Sequence, residues 1–108
     1  MPERIGYLIK RGSLIINTRS YTVTLKGKEI DLLHKEFRIL CLLAQHPGWV
    51  FTKEEIYKAV YEEDIFTDID NMIFCLIYGL RKKLELDLKH PQYIKTVWGV
   101  GYKFVEVN

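Results

Sequence analysis

Over the first thirty residues hydrophobic and polar positions alternate in short bursts. Tyr7 to Lys10 and Leu14 to Asn17 are brief apolar runs. Tyr21, Val23 and Leu25 then alternate with Thr22 and Thr24 until Lys26-Gly27-Lys28 breaks the pattern ahead of Glu29 to Leu32. A period of two sends successive side chains to opposite faces of a strand, so residues 7–32 are expected to form a small antiparallel meander. From about 34 to 46 the period becomes helical: Phe37, Leu40, Cys41 and Ala44 share a stripe that Ile39, Leu42 and Leu43 widen, which describes a helix buried on most sides. Pro47-Gly48 stops it, because proline cannot continue the hydrogen-bond ladder. Thr52-Lys53-Glu54-Glu55 then has the spacing of a capping box and opens a second helix over about 53–61, with Ile56 and Val60 facing inward.

A third helix is expected over about 68–86, capped by Thr67 or Asp70. At 100° per residue, Ile73, Leu76, Ile77, Leu80 and Leu84 form its core stripe, and the opposite face presents Asn71, Phe74, Cys75, Tyr78 and Lys82. Met72 to Tyr78 also has strand propensity, but the leucine period running on to Leu84 favours the helix. The tail, 93–107, reads as two strands around Trp98-Gly99-Val100-Gly101, a hairpin in which both glycines are expected to supply positive φ angles. The resulting fold class is α+β: an N-terminal antiparallel β-meander, a three-helix core and a C-terminal β-hairpin wing. With no linker of Pro, Gly or Ser, residues 1–108 read as a single domain of this kind. That order is the layout of a winged helix-turn-helix, whose last helix enters a major groove while the wing touches the flanking backbone or minor groove.

Composition narrows the function classes. A chain of 108 residues, 48% hydrophobic and 28% charged, supports one modest core and no elaborate active-site cavity. No nucleophile is placed with a histidine by a known motif and no glycine-rich loop precedes a helix, so an enzyme is not expected. Cys41 and Cys75 lie in apolar stretches and share no ligand spacing with His34, His46 or His90; reduced, buried thiols are expected, with no metal and no cofactor. The longest apolar run, Met72 to Leu80, is too short to cross a membrane, and the start Met-Pro-Glu-Arg lacks the pattern of a secretory signal, which makes a cytoplasmic location the expectation. Charge is uneven. Residues 1–53 carry a net +5, residues 54–70 a net −6 and residues 81–108 a net +3. Two basic segments around an acidic one suit a polyanion-binding surface with an acidic patch beside it, or a salt-bridged solvated surface.

Leu80-Arg81-Lys82-Lys83-Leu84 is followed by Tyr93-Ile94-Lys95-Thr96-Val97-Trp98-Gly99-Val100-Gly101-Tyr102-Lys103-Phe104. With Glu36-Phe37, Leu40 and Leu43, Pro47-Gly48 with Val50, and Thr52-Lys53-Glu54-Glu55-Ile56, this pattern resembles the OmpR/PhoB-type winged-helix effector domain of bacterial two-component response regulators, over about residues 7–105. The resemblance implies a transcription regulator that binds double-stranded promoter DNA, normally as a homodimer on a repeated site. It also implies contact with RNA polymerase through the loop between the second and third helices, here including Glu62, Glu63 and Asp64. The receiver domain that carries the phosphorylated aspartate is absent from this chain.

Carried over position by position, the resemblance makes Lys53, Arg81, Lys82, Lys95, Thr96, Tyr102 and Lys103 DNA-phosphate contacts, which give affinity and salt dependence but little sequence information. Asn71 bonds a phosphate or an adenine edge, or belongs to the helix cap. Phe74, Leu76, Tyr78 and Gly79 stand where the family usually has its polar and arginine base readers. What remains there is apolar contact to thymine methyls by Phe74, a hydroxyl from Tyr78, and shape readout. Gly79 inside a helix costs about 0.5–1 kcal/mol against alanine; its presence calls for a close approach by DNA or a partner protein, unless it is drift. Trp98 at the wing tip either stacks on sugar in the groove or packs beneath the hairpin as core, the second being expected. Trp49 contacts phosphate or covers the helix junction. Leu33 replaces the usual threonine cap of the first helix, with Asp31 as the expected substitute. The exposed apolar face of the third helix keeps an alternative open: a winged-helix protein-interaction or dimerisation module with a degenerate recognition helix.

Overall fold

The computed structural model describes residues 6–61 and 68–105. The N-terminal part is the expected meander: β1 (Leu8–Arg11), β2 (Leu14–Asn17), β3 (Thr22–Leu25) and β4 (Lys28–Ile30), antiparallel and adjacent in chain order. Ile9, Ile16, Val23 and Ile30 lie opposite one another across the four strands, and the first three are buried. This row is what the period-two pattern encodes. Tyr21 is a departure. Its φ of 58° takes it out of β3, and its ring stacks on Phe37 at 4.8 Å and on His34 at 5.7 Å.

Three helices follow: α1 (His34–Ala44), α2 (Lys53–Tyr61) and α3 (Ile69–Leu84). Both α1 and α3 are shorter than their hydrophobic periods suggest. At the start of α1 neither Leu33 nor Asp31 provides a side-chain cap; the Glu36 carboxylate reaches back and accepts the Leu33 N–H at 2.9 Å. The α2 capping box forms as expected, with Glu55 N–H donating to Thr52 Oγ1 at 3.1 Å and Thr52 N–H donating to Glu55 Oε1 at 2.8 Å. Asp68 is the N-cap of α3 without a side-chain bond, and Asp70 sits inside the first turn; Thr67 lies outside the described residues. Arginines from other elements satisfy helix C-terminal carbonyls: Arg11 Nε donates to Ala44 O at 3.0 Å, and Arg38 Nη2 to Ala59 O at 2.8 Å.

Ile69, Ile73, Ile77, Leu80 and Leu84 form the buried stripe of α3, with Leu76 only partly covered. They meet Ile39, Leu40 and Leu43 of α1 and Ile56, Tyr57 and Val60 of α2 in one core. Cys41 is half-buried, and burial pushes its thiol up to about 11, which keeps it protonated and inert. Cys75 is exposed, contrary to its apolar sequence neighbourhood, because it falls on the outer face of α3. Among the described residues no helix is long and apolar enough to cross a membrane, and no His, Cys, Asp and Glu cluster could hold a metal ion.

The C-terminal hairpin is β6 (Ile94–Val97) and β7 (Gly101–Phe104), and residues 106–108, which include the expected end of the wing, lie outside the described residues. A third strand, β5 (Val50–Thr52), gave no signal in the sequence and joins the far side of β7, making the order β5-β7-β6. Three residues carry too little alternation to announce a strand; the pairing partner fifty residues away decides it. The turn closes with Val100 N–H donating to Val97 O at 2.9 Å, and Gly99 has φ 80°. Gly101 does not share the expected positive φ. It is buried in β7, where a Cβ would strike the carbonyl of Phe51.

Candidate nucleic-acid interface

The exposed face of α3 and the inner side of the wing enclose an open cleft of about 570 Å³, with Phe74, Tyr78 and Arg81 on one wall and Thr96, Trp98 and Val100 on the other. The helical period puts Asn71, Phe74, Cys75, Tyr78 and Lys82 on the outward face as expected, and all five are exposed. Phe74 and Tyr78, 57% and 48% exposed, stack with centroids 6.2 Å apart, and Lys82 Nζ lies 5.6 Å from the centroid of the Tyr78 ring. Since neither ring supports the core, Phe74→Ser with Tyr78→Ser is expected to leave the melting temperature within about 3 °C of the parent. A fall of about 10 °C or more in a thermal melt would show that they anchor the fold.

The predicted basic positions separate into two groups. At the cleft, Arg81 Nη1 donates to Thr96 Oγ1 at 3.0 Å, tying α3 to β6, and among the described residues no carboxylate pairs with it. Lys53, at the start of α2, is 3.7 Å from Asp70, a largely exposed pair of small energetic weight. Lys95 and Lys103 stand directly opposite each other on β6 and β7. Strand alternation puts them on the other sheet face from Thr96 and Tyr102. Like charges facing across a strand pair repel.

Two expectations are corrected here. Trp98 does not pack beneath the hairpin; it is 89% exposed at the wing tip, because the turn carries it beyond any neighbouring element. Tyr102 is 5% exposed and belongs to the core, so its ring forms the floor of the cleft and is no free phosphate-seeking side chain. Trp49 covers the helix junction, stacked on His46 at 4.4 Å. Glu62, Glu63 and Asp64, the expected polymerase-contact residues, lie outside the described residues.

Gly79 has an internal explanation. A Cβ there would lie 2.5 Å from Glu36 Oε2. Glu36 is 3% exposed, and besides the Leu33 amide its carboxylate receives Lys83 Nζ at 2.7 Å. The close approach required by a glycine in mid-helix is therefore supplied by α1, with neither DNA nor a partner protein needed. Lys83 thus pairs with a buried carboxylate while staying exposed itself; Lys82 is exposed and Arg81 half-buried. The second feature missed in the sequence is Glu85, at the C-cap of α3. Its buried carboxylate accepts the amides of Gln92 at 2.6 Å, Tyr93 at 3.0 Å and Ile94 at 2.9 Å, fixing the first residues of the wing to the end of α3. Burial, and then this neighbouring carboxylate, hold the Tyr93 hydroxyl above its usual pKa. Gly79 could have announced the first site; nothing in the local pattern announced the second.

Comparison with known proteins places this geometry among relatives. Residues 27–104 match the family model described as transcriptional regulatory protein, C terminal. The chain is 41% identical over 102 residues to the uncharacterized transcriptional regulatory protein YcbL of Bacillus subtilis, an alignment covering 94% of this chain and 45% of that protein. It superposes on the response regulator DrrB of Thermotoga maritima, an OmpR/PhoB homolog, with a TM-score of 0.82 and 40% identity, over 92% of this chain and 44% of that one. It superposes equally well, at TM-score 0.82 and 31% identity, on the Klebsiella pneumoniae RstA DNA-binding domain solved in complex with the RstA box, over 91% of this chain and 96% of that one. The chain spans less than half the length of the curated relatives it matches.

Proposed function

The chain belongs to the family of transcriptional regulatory protein C-terminal domains, the OmpR/PhoB-type domains of response regulators, and on that premise we propose that it binds double-stranded promoter DNA in the cytoplasm. In this reading α3 lies in the major groove and the hairpin of β6 and β7 rests on the flanking backbone or minor groove. The observation that carries it is the set of basic side chains beside the exposed face of α3 and on the wing: Arg81 and Lys82 at the C-terminal end of α3, Lys53 at the start of α2 paired with Asp70, and Lys95 with Lys103 on the outer face of the wing. The N-terminus of α2 adds its free amides and partial positive charge beside Lys53. These groups anchor phosphates. The work is binding rather than catalysis. The exposed rings of Phe74, Tyr78 and Trp98 favour the second reading, a protein-interaction or dimerisation module, because apolar side chains at a surface more often meet protein.

A fluorescence-anisotropy titration of a labelled duplex pool at several salt concentrations separates the two. DNA binding requires an affinity that falls steeply with salt, and Arg81→Ala with Lys82→Ala is expected to reduce the slope of log affinity on log salt by about 2, near 0.9 for each lost phosphate contact. An unchanged slope removes these two residues from the interface. No binding at low salt decides for the protein-interaction reading.

A further inference from the structure

The outer face of α3 has an unusual chemical order for a groove-reading helix. Asn71, Phe74, Tyr78 and Lys82 follow one another a turn at a time, so the strip runs from an amide, across two stacked rings, to an ammonium group. No guanidinium lies on it, since Arg81 is turned to the wing and holds Thr96. Lys82 is folded toward the Tyr78 ring in the last turn. The centre of the strip can neither donate to a base nor accept from one, except through the Tyr78 hydroxyl.

A major groove offers such a surface only one apolar partner. Guanine presents O6 and N7, which need a donor; cytosine presents an amino group, which needs an acceptor; thymine presents its C5 methyl. A phenyl ring laid on a G·C edge strips water from groups it cannot satisfy, whereas on a thymine methyl it removes apolar surface from water. Both effects act in the same direction. Resting on the DNA-binding reading above, we infer that α3 selects A·T-rich half-sites by packing thymine methyls on Phe74 and the Tyr78 ring, with Asn71 placed to bond adenine through N6 and N7. Arg81 and Lys82, which have no carboxylate partner among the described residues, fit a nucleic-acid duplex as the occupant of this face and not an apolar helix, while Lys53 is paired with Asp70.

The test uses the 108-residue chain and a random 20-base-pair duplex pool. Selection is expected to enrich sites whose central positions are A·T. The most enriched duplex is then synthesised again with deoxyuridine in place of thymidine, which deletes each C5 methyl and keeps every hydrogen-bonding group. Each methyl buried against a ring accounts for about fourfold in affinity, so loss of two is expected to weaken binding by about tenfold or more. Phe74→Ala is expected to abolish most of the difference between the two duplexes. Equal affinity for both duplexes in the parent chain, or enrichment of G·C at the centre, overturns the inference while salt-dependent binding still supports the DNA reading. Absence of salt-dependent binding to any duplex overturns both and gives the aromatic strip to a protein partner.

Discussion

Replacing Glu85 by alanine is expected to destabilise the protein by about 3–5 kcal/mol, with a fall in melting temperature of about 15 °C or more. The carboxylate is 8% exposed and accepts three consecutive backbone amides, those of Gln92, Tyr93 and Ile94. Truncation leaves these donors without partners at a place where water enters poorly, and each unsatisfied buried donor costs about 1–3 kcal/mol. A domain of this size has only about 5–15 kcal/mol of stability in all. Glu85→Gln keeps one good acceptor but turns an amide donor toward the others, so a loss of about half that size is expected. Urea unfolding of the parent and both variants gives the order, and hydrogen exchange at the Tyr93 and Ile94 amides is expected to quicken in the alanine variant. A loss below about 1 kcal/mol would mean that the wing holds its position by side-chain packing alone. Because this carboxylate ties the end of α3 to β6, it also fixes the angle between α3 and the wing.

Gly101→Ala is expected to cost about 3 kcal/mol or more, for a different reason. A methyl group there would run into the backbone of β5: the Phe51 carbonyl oxygen directly, with Phe51 C at 2.8 Å and Thr52 Cα at 2.9 Å. Main chain cannot rotate aside as a side-chain tip can. The variant must therefore unpair β5 from β7 or distort the hairpin. Gly99→Ala is the control, two residues earlier and in the turn itself. A Cβ at Gly99 meets nothing within 4 Å, and only its φ of 80° opposes the change, for about 1 kcal/mol. Thermal melts of the two variants are expected to differ by about 10 °C, the Gly101 variant melting lower. Equal melting temperatures would show that β5 contributes nothing to the fold.

Local periodicity and the resemblance together carried a long way into this protein. The row of Ile9, Ile16 and Val23 across the meander, the Thr52 capping box of α2 and the inward stripe of Ile73, Ile77, Leu80 and Leu84 all follow from side chains spaced at two or at three to four residues. The same period fixed which residues α3 shows to the outside, and hence the aromatic strip at the centre of the candidate site. The family pattern placed the cationic positions around it.

What the sequence could not express were contacts between residues far apart in the chain. Gly79 read as a position awaiting an outside partner, and the partner is Glu36, forty-three positions earlier, held by Lys83 from α3 itself. Gly101 read as a turn glycine and is a strand glycine shaped by β5, whose three residues form a strand only because β7 is there to pair with them. Trp98 and Tyr102 exchanged their expected places, one projecting from the wing tip and the other sealing the cleft floor. Hydrophobic character alone does not say whether an element stands above a side chain; only the assembled chain does. The sequence by itself determined every element but β5, the buried faces of the helices and the family. The tertiary structure decided which charges are paired and which are not, because burial and pairing belong to the packed molecule and not to any local stretch of it.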